Sequence, residues 1–368
     1  MGNPGATTAP SSYTTYYDSL LSTTLFNYRP TMVDNIFRSS AWLAALKKNG
    51  GIDYQNGGER IAWPLMYETN STVKSYSGYE TLDTTPQDGM TTCFYEWREI
   101  GGTISISRKE ERQNSGESAM LNLLEKKTMQ AEMSMKQAIN QQLVQGTVSA
   151  TTFVPGNSSK DLNPLGYIIR KAPATDPVSG GNVGNIAGAT YSWWRPRVAD
   201  FTTASTPAGG VFGMTVDSLR DYKIALYRLY NYCTRGADGS GPNILLGDQV
   251  SFETYENALD YDKRYYDESL ATMGFDGIKL KAATFIWDEL VPDLYSGTTT
   301  LTYGTVFLVN TKFYKLVIDS ETDFITTPFV EPENQTARTA KILFMGNAIA
   351  NNLRKLGAAW YILQTIVA

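Results

Sequence analysis

Residues 68–92 read ETNSTVKSYSGYETLDTTPQDGMTT. The run is rich in Thr, Ser, Tyr and Gly, which have little to bury within one chain, and it is too long for a tight hairpin turn. On either side the sequence alternates. Ile61, Trp63, Leu65 and Tyr67 precede it; Cys93, Tyr95 and Trp97 follow and continue towards Ile104 and Ile106. A period of two marks half-buried strands, so these residues predict a long, polar, β-favouring excursion that projects from the body of the chain. The competing reading is an ordinary surface loop.

Downstream lies the clearest helix. Asn114 can cap it with Glu117 three residues on, helix formers run through LLEKKTMQAEMSMKQAINQQLVQ (123–145), and Gly146 supplies a stop. From Ser115 to Gln145 it would be roughly 45 Å long at 1.5 Å per residue. Leu121, Leu124, Ala131, Met135 and Ala138 form one stripe, widened by Met129 and Met133, so one side is expected to pack on a sheet. The methionines read as core filler.

Upstream, Met1 to Tyr17 contains few aliphatic residues and reads as an arm. Ordering it costs roughly 1–2 kcal/mol of backbone entropy per residue, so it should order only against something else, with Tyr13, Tyr16 and Tyr17 as anchors. Between Asp18 and Lys48 the pattern is helical in places, with Ile36, Phe37, Trp42, Leu43 and Leu46 on one face and Gly50 and Gly51 as the stop. Further on, helices are predicted from about Val216 to Cys233 and Gln249 to Leu259. Strand-like runs fall at Tyr191 to Trp194, Asn243 to Leu246, Ile278 to Trp287, Thr305 to Val309, Phe324 to Val330 and Lys341 to Met345. Strands and helices do not alternate regularly, so the class is α+β and not a parallel βαβ wind.

Composition narrows function. The chain has no histidine, which removes Ser-His-Asp and Cys-His nucleophile systems and histidine-ligated zinc. A net charge of -5 without a long basic run disfavours a specific nucleic-acid reader, although a mildly acidic wall suits a container for DNA. Cys93 and Cys233 lie far apart without C-x-x-C partners and read as reduced core residues of a chain folded in a cytoplasm. No signal peptide or membrane span is evident. The count of 23 tyrosines hints at partly wetted contacts between proteins.

Three patterns could carry chemistry. Gly236 and Gly241 have the spacing of a phosphate-binding loop, but Pro242 stands where that loop needs lysine, so a tight turn is the better reading. Asp260, Asp262, Asp267 and Glu268 begin like a calcium loop, yet Arg264 interrupts and the central glycine is missing. A pair of carboxylates could run a hydrolase without histidine, but no pair stands out by spacing. No catalytic residue, metal ligand or cofactor is nominated.

Taken in order, several segments resemble the major capsid proteins of tailed bacteriophages, the Hong Kong 97-type capsid fold. They are 69–107, TNSTVKSYSGYETLDTTPQDGMTTCFYEWREIGGTISIS; RQNSG (112–116); NPLGYIIR (163–170); GATYSWWRP (188–196); MGFDGIKLKAATFIWD (273–288); FLVNTKFYKL (307–316); and QTARTAKILFMGNAIANNLRKLG (335–357). Each is loose alone; the shared order is what is specific. The resemblance implies an N-terminal arm over 1–41, the start of a peripheral domain over 42–58 and an extended β-hairpin loop over 59–107. It further implies a peripheral domain with a long spine helix over 108–160, an axial domain over 161–320, and a return through the peripheral domain over 321–368.

Function by resemblance is self-assembly into hexamers and pentamers of an icosahedral shell around double-stranded DNA. The virion capsid would be assembled in the host bacterial cytoplasm, with a portal and decoration protein as further partners and no membrane. Because no scaffolding segment is recognised ahead of the arm, scaffolding is expected from a separate chain. Contacts between copies are expected at Tyr13, Tyr16 and Tyr17 of the arm and at Lys74, Tyr76 and Tyr79 of the loop. Some family members crosslink a loop lysine to a neighbour's asparagine; Lys74 lies in the corresponding loop, but no asparagine or promoting acid can be named, so no crosslink is expected. The alternatives are a decoration or tail subunit and, further off, a carboxylate-based hydrolase.

Overall fold

The computed structural model describes residues 40–113, 123–149, 152–170, 182–201, 211–213, 216, 218–236, 238–259, 278–291, 294–295, 302–333 and 336–363. The arm with Tyr13, Tyr16 and Tyr17, the Asn114–Glu117 cap and the acidic cluster at 260–268 lie outside the described residues. Within them the main elements are α1 (Ala41–Lys48), β1 (Ile52–Gln55), β2 (Ile61–Met66), β3 (Met90–Tyr95), β4 (Arg98–Ser107) and α2 (Leu123–Val144). They continue with β5 (Arg197–Asp200), α3 (Leu219–Thr234), β6 (Ile244–Gly247), α4 (Gln249–Ala258) and β7 (Ala283–Trp287). The last are β8 (Thr302–Val309), β9 (Tyr314–Asp319), β10 (Ala337–Ala350) and β11 (Gly357–Leu363).

Two sheets organise these elements. In the five-stranded sheet β1 pairs in parallel with β9, β9 pairs antiparallel with β10, and β10 carries both β4 and the short strand Ile325–Thr326. The alternation predicted from Cys93 to Ile106 is split at Glu96 and Trp97: β3 pairs with β2, whereas β4 pairs with Ala337–Gly346 of β10. Ile104 and Ile106 are buried. Gly102 lies beneath α2, where a Cβ would come within 3.3 Å of Met135 Sδ.

The expected stripe of α2 faces the core at Ala131, Met135 and Ala138, while Leu121 and the Leu124 side chain lie outside the described residues. Met135, Ile139, Leu143 and Val144 are buried, Ala131 and Ala138 are half-buried, and Met129 is 49% exposed. Among the described side chains of α2, burial begins at Met135 and continues through the last turns. There Asn140 Nδ2 donates to Asp288 Oδ2 at 3.2 Å, and Asp288 Oδ1 accepts from Leu290 N at 3.0 Å. Asp288 is 3% exposed, so these donors satisfy a carboxylate that would otherwise be costly to bury.

The eight-stranded sheet runs Ile278–Leu280, β7, β6, β8, β11, β5, Val211–Gly213, with Leu294–Tyr295 against β8. Both faces are covered. Leu246, Ile286, Phe307 and Trp360 share one core with Trp42 and Phe344, while Leu245, Phe285, Leu308 and Ala359 pack beneath α3 and α4. The helices are capped as their sequences allow: Ser218 Oγ accepts from Asp221 N, and the Asp248 side chain accepts from Ser251 N. A register shift between Gly304 and Val306 moves Ile362 of β11 onto the α3 side.

Two short passages, 310–313 and 351–356, carry the chain directly from one sheet to the other. β9 therefore joins the five-stranded sheet and β11 the eight-stranded one. Neither strand was predicted. Three expected strands change: Ser192–Trp194 is a 3-10 turn preceding β5, Ile278–Trp287 is a hairpin about Lys281, and Phe324–Val330 keeps only Ile325–Thr326 and a bridge from Val330 to Thr339.

Candidate assembly surfaces

β2 and β3 form a hairpin, registered from Ile61 against Tyr95 to Met66 against Met90. Its root is anchored. Cys93 and Tyr95 are buried, and Tyr95 Oη donates to the Ala350 carbonyl at 2.7 Å. Phe94 N donates to Gly184 O at 3.1 Å. Gly184 has a φ of +59°, and a Cβ there would stand 2.9 Å from Cys93 Cβ, so both conformation and space call for glycine.

Beyond Tyr67 the hairpin leaves the body. Tyr67 Oη donates to Asp88 O at 2.7 Å and Ser71 Oγ donates to Gln87 Oε1 at 2.8 Å, holding the two arms together. Asn70 and Asp83 each accept from the backbone N–H two residues on, at 2.9 and 3.0 Å. Those bonds, with the Thr85 hydroxyl first, hold the Asp83 carboxyl below its ordinary range, so it carries charge at neutral pH. On this frame Val73 is 80% exposed, Tyr76 62%, Tyr79 104% and Leu82 54%. Lys74 is exposed among them. The structure thus gathers three of the six expected contact residues, Lys74, Tyr76 and Tyr79, on one projecting tip.

A second surface was not legible in the sequence. At the far end of the strand pair Tyr67 stacks on Trp193 at 5.2 Å and 19°, and Trp193 meets Trp194 edge-on. Between this aromatic wall and the two inter-sheet passages lies a cleft of about 480 Å³. Arg235, Lys312, Arg354 and Lys355 line it, with Asp238 as the one carboxylate among the described residues, paired to Lys312 at 2.8 Å. Arg354 is less ready to carry its charge than usual because it is partly desolvated and Arg197 lies close by. Arg197 and Arg235 both sit over the Tyr232 ring, at 4.3 and 5.3 Å. These residues are scattered across five segments of the chain.

The glycine-rich loop is the floor of this region. Lys355, 2% exposed, donates through Nζ to the carbonyls of Thr234 and Ser240 at 3.0 and 3.1 Å. The loop therefore turns carbonyls inward around a cation, the reverse of a phosphate cradle. Gly241 is needed for packing, since its Cβ would fall 2.7 Å from Tyr230 Oη.

Buried carboxylates have structural partners. Asp248 caps α4, Asp288 joins α1 and α2 to the end of β7, and Asp319 accepts from Thr322 Oγ1 and Gly57 N. Among the described residues no group of three potential metal ligands occurs, and no helix is long and apolar enough to cross a membrane.

Neither a family model nor a curated protein sequence matches the chain. Solved structures do. The capsid asymmetric unit of cyanophage A-1(L) superposes with a TM-score of 0.63 at 13% identity, covering 91% of this chain and 96% of that one. The capsid of a native GTA particle gives 0.57 at 11% identity over 96% and 100% of the two chains. The holo-SrpI encapsulin complex from Synechococcus elongatus PCC 7942 gives 0.51 at 8% identity over 95% and 96%. At these identities the likeness is one of fold. The chain has the α+β fold of these proteins, the Hong Kong 97-type fold expected from the order of its segments.

Proposed function

We propose that the chain is the major capsid protein of a tailed bacteriophage, a subunit that closes into hexamers and pentamers of an icosahedral shell around double-stranded DNA. The observation that carries this reading is the projecting hairpin. Its exposed tyrosines and aliphatic side chains are covered by no described residue of the chain, on a fold shared with capsid subunits. The sheet bearing β4, β10 and α2 corresponds to a peripheral domain, and the eight-stranded sheet with α3 and α4 to an axial domain. A heterologous contact repeated around a local axis closes into a ring, and many weak contacts then add as avidity. Scaffold, portal and decoration proteins are the partners such a subunit requires, and the arm is assigned to neighbouring copies.

Expression with the cognate scaffold, followed by electron microscopy, tests the proposal. Closed particles are expected. A stable monomer at every concentration and salt contradicts it.

A further inference from the structure

The cationic cleft beside Tyr67 has charge that no described residue of its own chain neutralises. Arg235, Lys312, Arg354 and Lys355 against Asp238 leave a local excess of positive charge in a chain whose net charge is -5. Arg197, Arg235 and Arg354 form no ion pair among the described residues; they share the Tyr232 ring and one another's company. Like charges crowded at a partly desolvated site are unfavourable, and an anionic partner would relieve them.

The hairpin tip supplies that chemistry. Residues 67–90 contain Glu68, Glu80, Asp83 and Asp88 against Lys74 alone, so the segment is acidic. Tyr79 and Glu80 are exposed, and Asp83 Oδ1 serves Thr85, which leaves Oδ2 available. The cleft pairs its cations with the aromatic wall of Tyr67, Trp193 and Trp194, and the tip pairs its acids with tyrosines. The full exposure of Tyr79 shows that the tip does not fold back onto its own cleft. The arm is a poorer candidate, because over 1–39 Asp18 and Asp34 are balanced by Arg29 and Arg38.

We propose that the cleft receives the hairpin tip of a second copy of this chain, with Glu80 and Asp83 against Arg235 and Arg354 and Tyr79 against the aromatic wall. This inference rests on the shell reading and adds to it the receiving surface and the forces that select it. Charge complementarity of this kind fixes register and rejects wrong pairings more than it adds raw affinity.

Charge reversal tests it in the full-length chain expressed with its scaffold. The cleft variant R235E/R354E and the tip variant E80K/D83K should each lower particle yield at least tenfold, with circular dichroism and melting of the unassembled chain unchanged. The fourfold variant, with both surfaces reversed, should recover most of the yield. If reversal in the cleft unfolds the chain, R235Q/R354Q takes its place and should lower the yield in the same direction. Wild-type yield from either reversal, or a fourfold variant no better than its halves, overturns the inference while leaving the shell reading standing. Cleft variants that assemble normally but lose encapsidated nucleic acid also overturn it, in favour of a phosphate-binding role. Failure of the wild type to form particles removes the shell reading itself, and this inference with it.

Discussion

Cys93 and Cys233 show how firmly single side chains are committed to the core. Burial pushes the Cys93 thiol up to about 11 and the Cys233 thiol to about 12, from an ordinary 9.0. The folded state therefore holds both protons more tightly than the unfolded chain. Their contribution is complete below pH 9 and is lost as the pH rises through the folded values. Stability measured by denaturant titration should be insensitive to these groups up to pH 9 and decline above it, and neither thiol should react with a thiol reagent in the native protein at pH 8. Gly184 is the second test at this scale. Gly184→Ala combines a positive φ with a contact against Cys93, so a loss of about 1–3 kcal/mol is expected in chemical denaturation. Sequence reading had placed Cys93 in a core and Gly241 in a tight turn, because type and neighbours suffice for that. It missed Arg354, Arg235 and Trp193 as one surface, because only the fold brings five separated segments together.

At the scale of elements, what could be read followed the physics of each segment. Helices α3 and α4 were predicted close to their observed limits, since Ser218 and Asp248 cap amphipathic runs. Strands β9 and β11 escaped because YKLVID, and Gly357 to Trp360 with Ile362 in β11, are buried on both faces and so show no alternation. The stripe of α2 is buried or half-buried at Ala131, Met135 and Ala138, but Met129, whose spacing looked apolar, is 49% exposed at the edge of that face. The excursion at 68–92 was recognised, but its last residues, Met90 to Thr92, belong to β3. A shortened hairpin should accordingly join Tyr67 to Gly89 through Asn-Gly, removing 68–88 and keeping every strand pair. That variant should retain the wild-type circular dichroism and unfolding midpoint of the unassembled chain, and form no particles. A chain that no longer folds would place the excursion in the core.

For the whole molecule, one continuous core ties the two sheets together, so the subunit is built to act as one body with a projecting limb. Assembly then depends on surfaces presented to other copies. Lys74 lies on the exposed tip, yet no asparagine and acid set has been identified to receive it, so the shell is expected to be held without covalent links. Boiled particles should run on a denaturing gel as one band near 40.7 kDa, and a ladder of multimers would contradict that. The most direct test of the central claim is a cryo-electron microscopy reconstruction of the protein assembled with its scaffold. The account predicts a closed shell in which density for residues 68–88 crosses from each copy onto the next. A monomer, or a hairpin packed against its own chain, would contradict it.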